Sequence, residues 1–379
     1  MNRRLKLNGT ILLMFLLVFT QSSCETTDSS KVTQSNARVK SDTLQNDFAE
    51  AFQIIHHQGY IEIVVQNPDD LSQRESYRVA QSNSVKGNFL PLEIEKVIAL
   101  STTHVGMMRA LDLDNSIAGV SDYKYLCNPV SKSNVAEVGH LGMADTESFL
   151  KVNPDVILYS GFNEKSPILN KLEQAGLKTF KVFEWKETHP LGRAEWIKVY
   201  GALFNKEIEA KTIYEEVKSK YFTLKDKLKL ESSSESMFAG TYFGDVFNVP
   251  AGESYMAQLF EDANINYVYA DTEGTGSLSK SLEELLTTNM ETQYWLNAGV
   301  SNKRDLLKQS AKFEMLNAFE KGKLYTYFNN NNCFWENSPI EPHIVLEDLA
   351  KIFHPQLFDN HELKYYELLK RNQSERITD

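Results

Sequence analysis

The polar motifs of this sequence complete none of the familiar catalytic signatures. The chain contains no phosphate loop ending in Gly-Lys-Ser/Thr and no His-Glu-x-x-His pair. The stretch Gly252–Met256 begins like a serine nucleophile elbow, but Met256 stands where the second glycine is required. Gly274 and Gly276 supply only half of a dinucleotide-binding fingerprint. The sequence therefore favours no reaction class, and we expect neither an enzyme nor a resident cofactor.

The eight histidines are too scattered to predict a metal site. His56 and His57 are adjacent and cannot share one face of a helix, and His354 directly precedes a proline. His104 stands alone after a predicted strand. Its ordinary interpretation is a loop residue hydrogen-bonded to backbone, and the alternative is contact with a bound ligand.

Aromatic side chains give a stronger signal, because many of them lie at or just after the ends of predicted strands. These residues are Tyr123, Tyr125, Phe162, Trp185, Tyr242, Phe243, Tyr255, Phe334 and Trp335. Some of them must be ordinary packing residues, and we expect about half to face a cleft. Thr103, His104 and Ser277 lie in the same loops and complete the predicted ligand-binding set. Such a lining suits a large ligand that is flat or partly apolar.

Few basic residues accompany these aromatic side chains. Lys124, Lys165, Lys303 and Arg304 are the nearest candidates along the chain. A highly anionic ligand would therefore find limited charge compensation unless the fold gathers these residues.

The elements before residue 205 alternate between apolar strands, polar or aromatic loops and helices. The expected strands are Val97–Leu100, Ile117–Val120, Val156–Tyr159 and Lys178–Phe183. This order predicts a parallel sheet whose ligand site lies at the carboxyl ends of the strands. A β-rich preface precedes it. There we expect a short helix at Phe48–Gly59 and two strands, Tyr60–Val65 and Tyr77–Ala80.

The same pattern starts again after residue 230. The expected strands are Ser236–Thr241, Tyr267–Ala270, Gln293–Asn297 and Lys323–Tyr327, and Pro342–Phe353 is the last helix. The fold class is therefore α/β, with two Rossmann-like lobes whose parallel sheets are joined by one long helix. We expect an N-terminal lobe over 48–204, a linking helix over 205–230, a C-terminal lobe over 231–370 and a polar tail over 371–379.

The linking helix is marked at both ends. Asn205 is the expected cap of its first turn, and lysines at 225, 227 and 229 suit its last turn. One stripe of the helix is apolar and predicts a surface helix lying on a core. Its members are Ala210, Ile213, Val217, Leu224 and Leu228.

The amino terminus predicts export. Basic residues precede the apolar run Ile11–Phe19, which has the proportions of a secretory signal over 1–23. Gln21-Ser22-Ser23-Cys24 resembles a bacterial lipoprotein box, so we expect lipidation of Cys24, a membrane anchor and a flexible tether over 24–47. Gln21 departs from the usual leucine, and an ordinary signal peptide is the alternative.

Two further properties limit the partners and the redox chemistry. Removing Arg3, Arg4 and Lys6 from the 40 basic residues leaves 37 against 51 acidic ones, a net charge of −14 that disfavours nucleic acid. Cys127 and Cys333 remain beside Cys24. Export would allow them to pair, but spacing does not decide, and we expect two unpaired thiols.

Six motifs, in this order, resemble the periplasmic binding proteins for iron complexes and cobalamin. They are Ser101–His104, Val138–Gly142, Asn153–Leu158, Val249–Ser254, Gly276–Ser279 and Glu341–Leu349 with Ile352–Pro355. The resemblance covers residues 95 to 358. It implies two Rossmann-like lobes, a helical backbone with little hinge closure, and delivery of a metal chelate to an ATP-driven importer. We also expect a monomer.

The resemblance also implies that one surface glutamate on each lobe pairs with arginines of the permease. Glu147 and Glu283 occupy these positions, and two solvated helix acids are the ordinary interpretation of the same residues. The expected function is a lipid-anchored binding protein for a ferric siderophore or haem, with cobalamin as the alternative ligand. Two different functions compete with it: an enzyme on a nucleotide-binding fold, and a surface protein whose cleft binds another protein.

Overall fold

The computed structural model describes residues 41–81, 87–127, 134–142, 145–162, 165–231, 233–327 and 333–369. Residues 40–379 form one compact unit. Cys24, the signal segment and the polar tail lie outside the described residues. Within the described ranges, no helix combines the length and the apolar composition needed to cross a bilayer.

A five-stranded sheet forms the preface to the first lobe. Its strands, which are hydrogen-bonded in numerical order, are β1 (Asp42–Leu44), β2 (Phe52–His57), β3 (Tyr60–Asn67), β4 (Asp70–Ala80) and β5 (Asn88–Pro91). The helix expected at Phe48–Gly59 is wrong, because β2 pairs antiparallel with β3 through a turn at Gly59. In that pairing Phe52 and Ile54 reach the core and Gln53 faces solvent, an alternation of period two.

Two buried carboxylates attach the segment before β2 to the lobe. Glu195 is fully buried and accepts hydrogen bonds from the backbone N–H groups of Asp47 (2.8 Å) and of residues 48 and 49 (2.8 and 2.9 Å). Glu187 accepts from the N–H groups of residues 50 and 51 at 2.9 and 3.1 Å. The predicted tether is therefore corrected at its last residues, since 42–44 form β1 and residue 47 is anchored by a long-range contact.

The N-terminal lobe contains the expected parallel sheet. Its elements are β6 (Val97–Ala99), α1 (Thr102–Ala110), β7 (Ile117–Val120), β8 (Ala136–Glu137), α2 (Thr146–Val152), β9 (Val156–Ser160), α3 (Pro167–Gln174) and β10 (Thr179–Val182). The strand order is β10-β9-β6-β7-β8, and all pairs are parallel. The carboxyl ends of these strands therefore share one edge.

Three helices lead from this lobe to the next: α4 (Pro190–Glu195), α5 (Ile197–Leu203) and α6 (Glu207–Leu228). The long helix α6 confirms the predicted link, and its apolar stripe faces the core together with Tyr214 and Tyr221. The expected cap is wrong. Asn205 has a positive φ of 55°, and no side chain caps the first turn.

The C-terminal lobe repeats the architecture. Its elements are β11 (Ser236–Ala239), β12 (Thr241–Phe243), β13 (Val246–Pro250), α7 (Tyr255–Asp262), β14 (Asn266–Tyr267), β15 (Ser277–Lys280), α8 (Leu282–Asn289), β16 (Tyr294–Leu296), α9 (Lys303–Gln309), α10 (Asn317–Lys321), β17 (Leu324–Thr326), α11 (Phe334–Asn337), α12 (Pro342–Phe353) and β18 (Glu367–Leu368). The main sheet has the order β14-β11-β16-β17-β18, with only β18 antiparallel, and β12, β13 and β15 form a small antiparallel sheet. The helices α12 and α6 pack against each other.

Candidate functional site

Several polar side chains lie close together at the carboxyl edge of the N-terminal sheet. Thr103, in the first turn of α1, donates from its hydroxyl to Glu184 at 2.6 Å. Glu184 is 2% exposed, and its second carboxylate oxygen has no hydrogen-bond partner among the described residues. Burial lowers the pKa of His104, although the charge of Glu184 opposes that shift, so the ring is neutral at pH 7. His104 is fully buried, and its contact with a ligand would require movement of the surrounding residues.

Two predicted aromatic residues form an exposed pair at the ends of β9 and β10. The rings of Phe162 and Trp185 lie 5.4 Å apart, and their residues are 59% and 36% exposed. The indole N–H of Trp185 donates to the carbonyl of Gly161 at 3.2 Å, which fixes the orientation of that ring. Large exposed aromatic surface at a strand-end edge is suited to stacking on a ligand.

Tyr123 and Tyr125 share a single helical turn after β7 but differ in role. The hydroxyl of Tyr123 donates to the carbonyl of Val135, so this residue is held inside the lobe. Tyr125 is 48% exposed, with the Lys124 ammonium 4.7 Å from its ring centre. Only Tyr125 of this pair therefore offers a large accessible ring.

The predicted residues on the small C-terminal sheet are more dispersed. Tyr242 packs edge-on against Phe313, with 5.7 Å between ring centres. Phe243 is 77% exposed at the end of β12, and Ser277 is exposed at the start of β15, where it pairs with Pro250. Within the described ranges, the structure records no contact between these residues and the candidate residues at the carboxyl edge of the N-terminal sheet.

Phe334 and Trp335 lie on the short helix α11, which follows β17 along the chain. Phe334 is buried and stacks on Tyr327 at 3.8 Å, while Trp335 is 52% exposed. Tyr255, at the start of α7, lies under the guanidinium of Arg193 from α4, 4.2 Å from the ring centre. These residues line the junction between the two lobes.

A covalent and electrostatic junction, which we call the clasp, joins the lobes here. The expectation of two unpaired thiols is wrong: Cys127, after β7, and Cys333, before α11, form a disulfide with 5.0 Å between their Cα atoms. The partners lie 206 residues apart, so only the tertiary fold reveals their proximity. Export and an even count of cysteines beyond the lipidation site were the signals that could have predicted the pair.

The clasp also contains a buried ion pair. Glu336, 1% exposed, accepts from the guanidinium of Arg109 on α1 and from the backbone N–H of Cys127 at 3.1 Å. Burial opposes the charge of Arg109, but Asp114 and Glu336 together raise its pKa. A Cβ atom at Gly106 would overlap the backbone carbonyl of Glu336, so glycine permits the close approach of α1 and α11. Sequence reasoning did not single out Arg109, Glu336 or Gly106.

The two predicted docking glutamates lie on exposed helix starts. Glu147 is in the first turn of α2 and forms an i,i+4 pair with Lys151 at 3.0 Å. Glu283 is in the first turn of α8, 3.4 Å from Lys312. Both side chains are about three-quarters exposed, at 76% and 74%, so both carboxylates are available to a partner surface.

The two lobes joined by α6 match a known family of binding proteins. The model of the periplasmic binding protein family matches residues 97–330, which span both lobes and α6. The chain belongs to this family. It is a family of binding proteins and not of enzymes.

Individual proteins show what this chain is similar to. An uncharacterized lipoprotein of Methanocaldococcus jannaschii is 25% identical over 72% of this chain and 68% of its own. A periplasmic heme-binding protein of Pseudomonas aeruginosa superposes with a TM-score of 0.56 at 16% identity, covering 69% of this chain and 93% of that one. The periplasmic vitamin B12-binding protein BtuF of Vibrio cholerae gives 0.52 at 14% identity, covering 71% and 99%. At these identities the solved structures establish the fold alone.

Proposed function

We propose that this chain is a lipid-anchored solute-binding protein that captures an iron complex, a ferric siderophore or haem, between its lobes. It then delivers the complex to the permease of an ABC importer. The observation that carries this proposal is the match of the periplasmic binding protein family over residues 97–330, which span both lobes and α6. Lipidation of Cys24 and a monomeric state are part of the same proposal.

The exposed aromatic residues support a ligand with substantial apolar or conjugated surface. Phe162, Trp185 and Trp335 present large rings at the strand-end edges, where ligands of this sheet type bind. Cobalamin is the second candidate, because its corrin ring would use the same aromatic lining.

A panel of ligands tests the proposal directly. The thermal unfolding of the purified protein is followed with ferric siderophores, haem and cyanocobalamin, since a ligand that binds only the native state raises the melting temperature. We expect a saturable rise with one chelate class, and haem ligation would also produce a characteristic absorption band. No shift with any member, or turnover of a substrate, would count against the proposal.

Delivery to the permease is tested separately. We expect Glu147→Arg and Glu283→Arg to reduce transport in cells while leaving ligand affinity unchanged, because charge reversal opposes pairing with arginine. Glu216→Arg, on the exposed face of α6, is the matched control and should transport normally. Unchanged transport in both variants would contradict the docking role and would show that the two glutamates are ordinary solvated helix acids.

A further inference from the structure

Arg193 is a buried cation placed where the two lobes meet. It lies on α4, is 7% exposed, and its guanidinium covers the ring of Tyr255 at 4.2 Å. Tyr327 is a second aromatic neighbour: burial raises its pKa, and the charge of Arg193 opposes that rise. The guanidinium therefore sits in a largely aromatic environment.

The charge of Arg193 has no acidic partner among the described residues, which sets it apart from the other buried bases. Lys186 pairs with Asp69 at 2.5 Å, Lys198 pairs with Glu195 at 2.5 Å, and Lys181 pairs with a glutamate of β4. The Nε atom of Arg193 is inaccessible and finds no hydrogen-bond acceptor in the part of the chain that the structure describes. A buried charge without an anion is unfavourable, and a cation–π contact compensates only part of that loss.

A small cavity borders the guanidinium. Its volume is about 10 Å³, which is room for about one water molecule. Apart from Arg193 and Tyr255, its lining is Pro190, Met256, Leu259, Phe334, Ser338, Pro342 and Val345. Ser338 is the one uncharged hydroxyl residue of this lining besides the tyrosine, and the rest is apolar. The surroundings therefore supply space and an aromatic wall, but no counter-charge.

We propose that Arg193 binds a carboxylate carried by the captured solute; this inference rests on the proposed function. A planar carboxylate matches the two-pronged donor geometry of a guanidinium. A phosphate would call for further donors that this apolar lining does not provide. The existing cavity has room for about one carboxylate oxygen.

One wall of this cavity is formed by α11, the helix held by the clasp, and by Ser338 directly after it. Phe334 and Ser338 contact the cavity, while Cys333 and Glu336 join the same segment to the N-terminal lobe. The clasp therefore attaches this wall of the cavity to the N-terminal lobe. The preferred solute is a chelate with a free carboxylate at its edge.

The experiment compares haem, which carries two free propionates, with its dimethyl ester, in which both are esterified. The full-length wild-type protein should bind haem at least about tenfold more tightly than the ester. Arg193→Met should remove that preference, and Arg193→Lys should retain part of it. Arg74→Met, which removes an exposed arginine of β4, is the matched control and should behave as wild type.

A second measurement does not depend on any chelate. Sodium formate, compared with sodium chloride at equal ionic strength, should raise the melting temperature of wild type saturably and not that of Arg193→Met. Without ligand, Arg193→Met should be at least as stable as wild type, because it removes an uncompensated charge; a purely structural role predicts a loss of stability.

The outcomes separate the two proposals. A formate effect that depends on Arg193, with no binding of any chelate, would retain the carboxylate site and overturn the proposed function. Equal affinity for haem and its ester, or a formate effect that persists in Arg193→Met, would overturn the carboxylate site and leave the binding function standing.

Discussion

We predict that the disulfide of the clasp stabilises the folded protein, and breaking this bond tests the prediction. Reduction of the Cys127–Cys333 bond, or the double substitution Cys127→Ser/Cys333→Ser, releases a loop of 206 residues in the unfolded chain. In the chain-entropy model a closed loop of that length corresponds to about 5 kcal/mol at 25 °C, and removal of native disulfides typically destabilises by about 2–5 kcal/mol.

The shift in melting temperature follows from the size of the compact unit. Residues 40–379 should unfold with an entropy of about 0.7 kcal/mol/K, so a loss of about 3–5 kcal/mol lowers the melting temperature by about 4–7 °C. The ion pair between Arg109 and Glu336 remains after reduction, and we expect the lobes to stay folded.

The assay is thermal unfolding with and without dithiothreitol, with free thiols counted in parallel. Wild type should lose stability when the reductant exposes the two thiols, and the double-serine variant should show the lower melting temperature in both conditions. If two thiols appear on reduction and the melting temperature of wild type does not fall, the stabilising role of the clasp is refuted. A reductant response of the double-serine variant would trace the effect to another site.

Three further substitutions test individual parts of the structure. Gly106→Ala should force α1 away from the Glu336 carbonyl and lower stability by about 1–3 kcal/mol, measured by urea unfolding; Gly276→Ala, where the added Cβ atom meets open space, is the comparison. Burial raises the pKa of Glu187 to about 7. The stability linked to this shift is therefore fully present below the ordinary pKa of 4.5 and is lost as the pH rises to about 7. Over that interval the free energy of unfolding of Glu187→Gln should rise by about 3 kcal/mol relative to wild type, and a constant difference would contradict the assignment. Val217→Pro should break α6, lower stability by about 3 kcal/mol or more, and impair ligand binding and transport together; retention of both activities would reduce α6 to a simple connection.

The elements that were predicted correctly are those whose signals are local. The last helix was placed at its observed bounds, Pro342–Phe353, because a proline starts it and His354-Pro355 stops it. The linking helix differed from its prediction by two residues at each end, since its apolar stripe and terminal charges lie within one segment. Parallel strands with polar loops at their carboxyl ends were likewise predictable from short stretches of sequence.

The predictions were wrong or undecided where the structure of a segment depends on residues that are distant in sequence and not on its own hydrophobic pattern. Phe52–His57 has a composition compatible with a helix, and only pairing with β3 makes it a strand. Which aromatic rings are exposed was also undecided, because Phe334 and Trp335 are adjacent yet only the latter reaches solvent. Burial of a side chain depends on the elements packed around it and not on its neighbours in the chain.

By itself the sequence determined the two-lobe α/β plan, the helix that links the lobes and the strand-end location of the aromatic residues. Only the tertiary structure decided that Cys127 joins Cys333, that Glu336 neutralises Arg109, and that Arg193 is buried without an anion among the described residues. The reason is physical: hydrophobic periodicity and capping act over a few residues, whereas ion pairs, disulfides and unpaired charges are properties of surfaces brought together by folding.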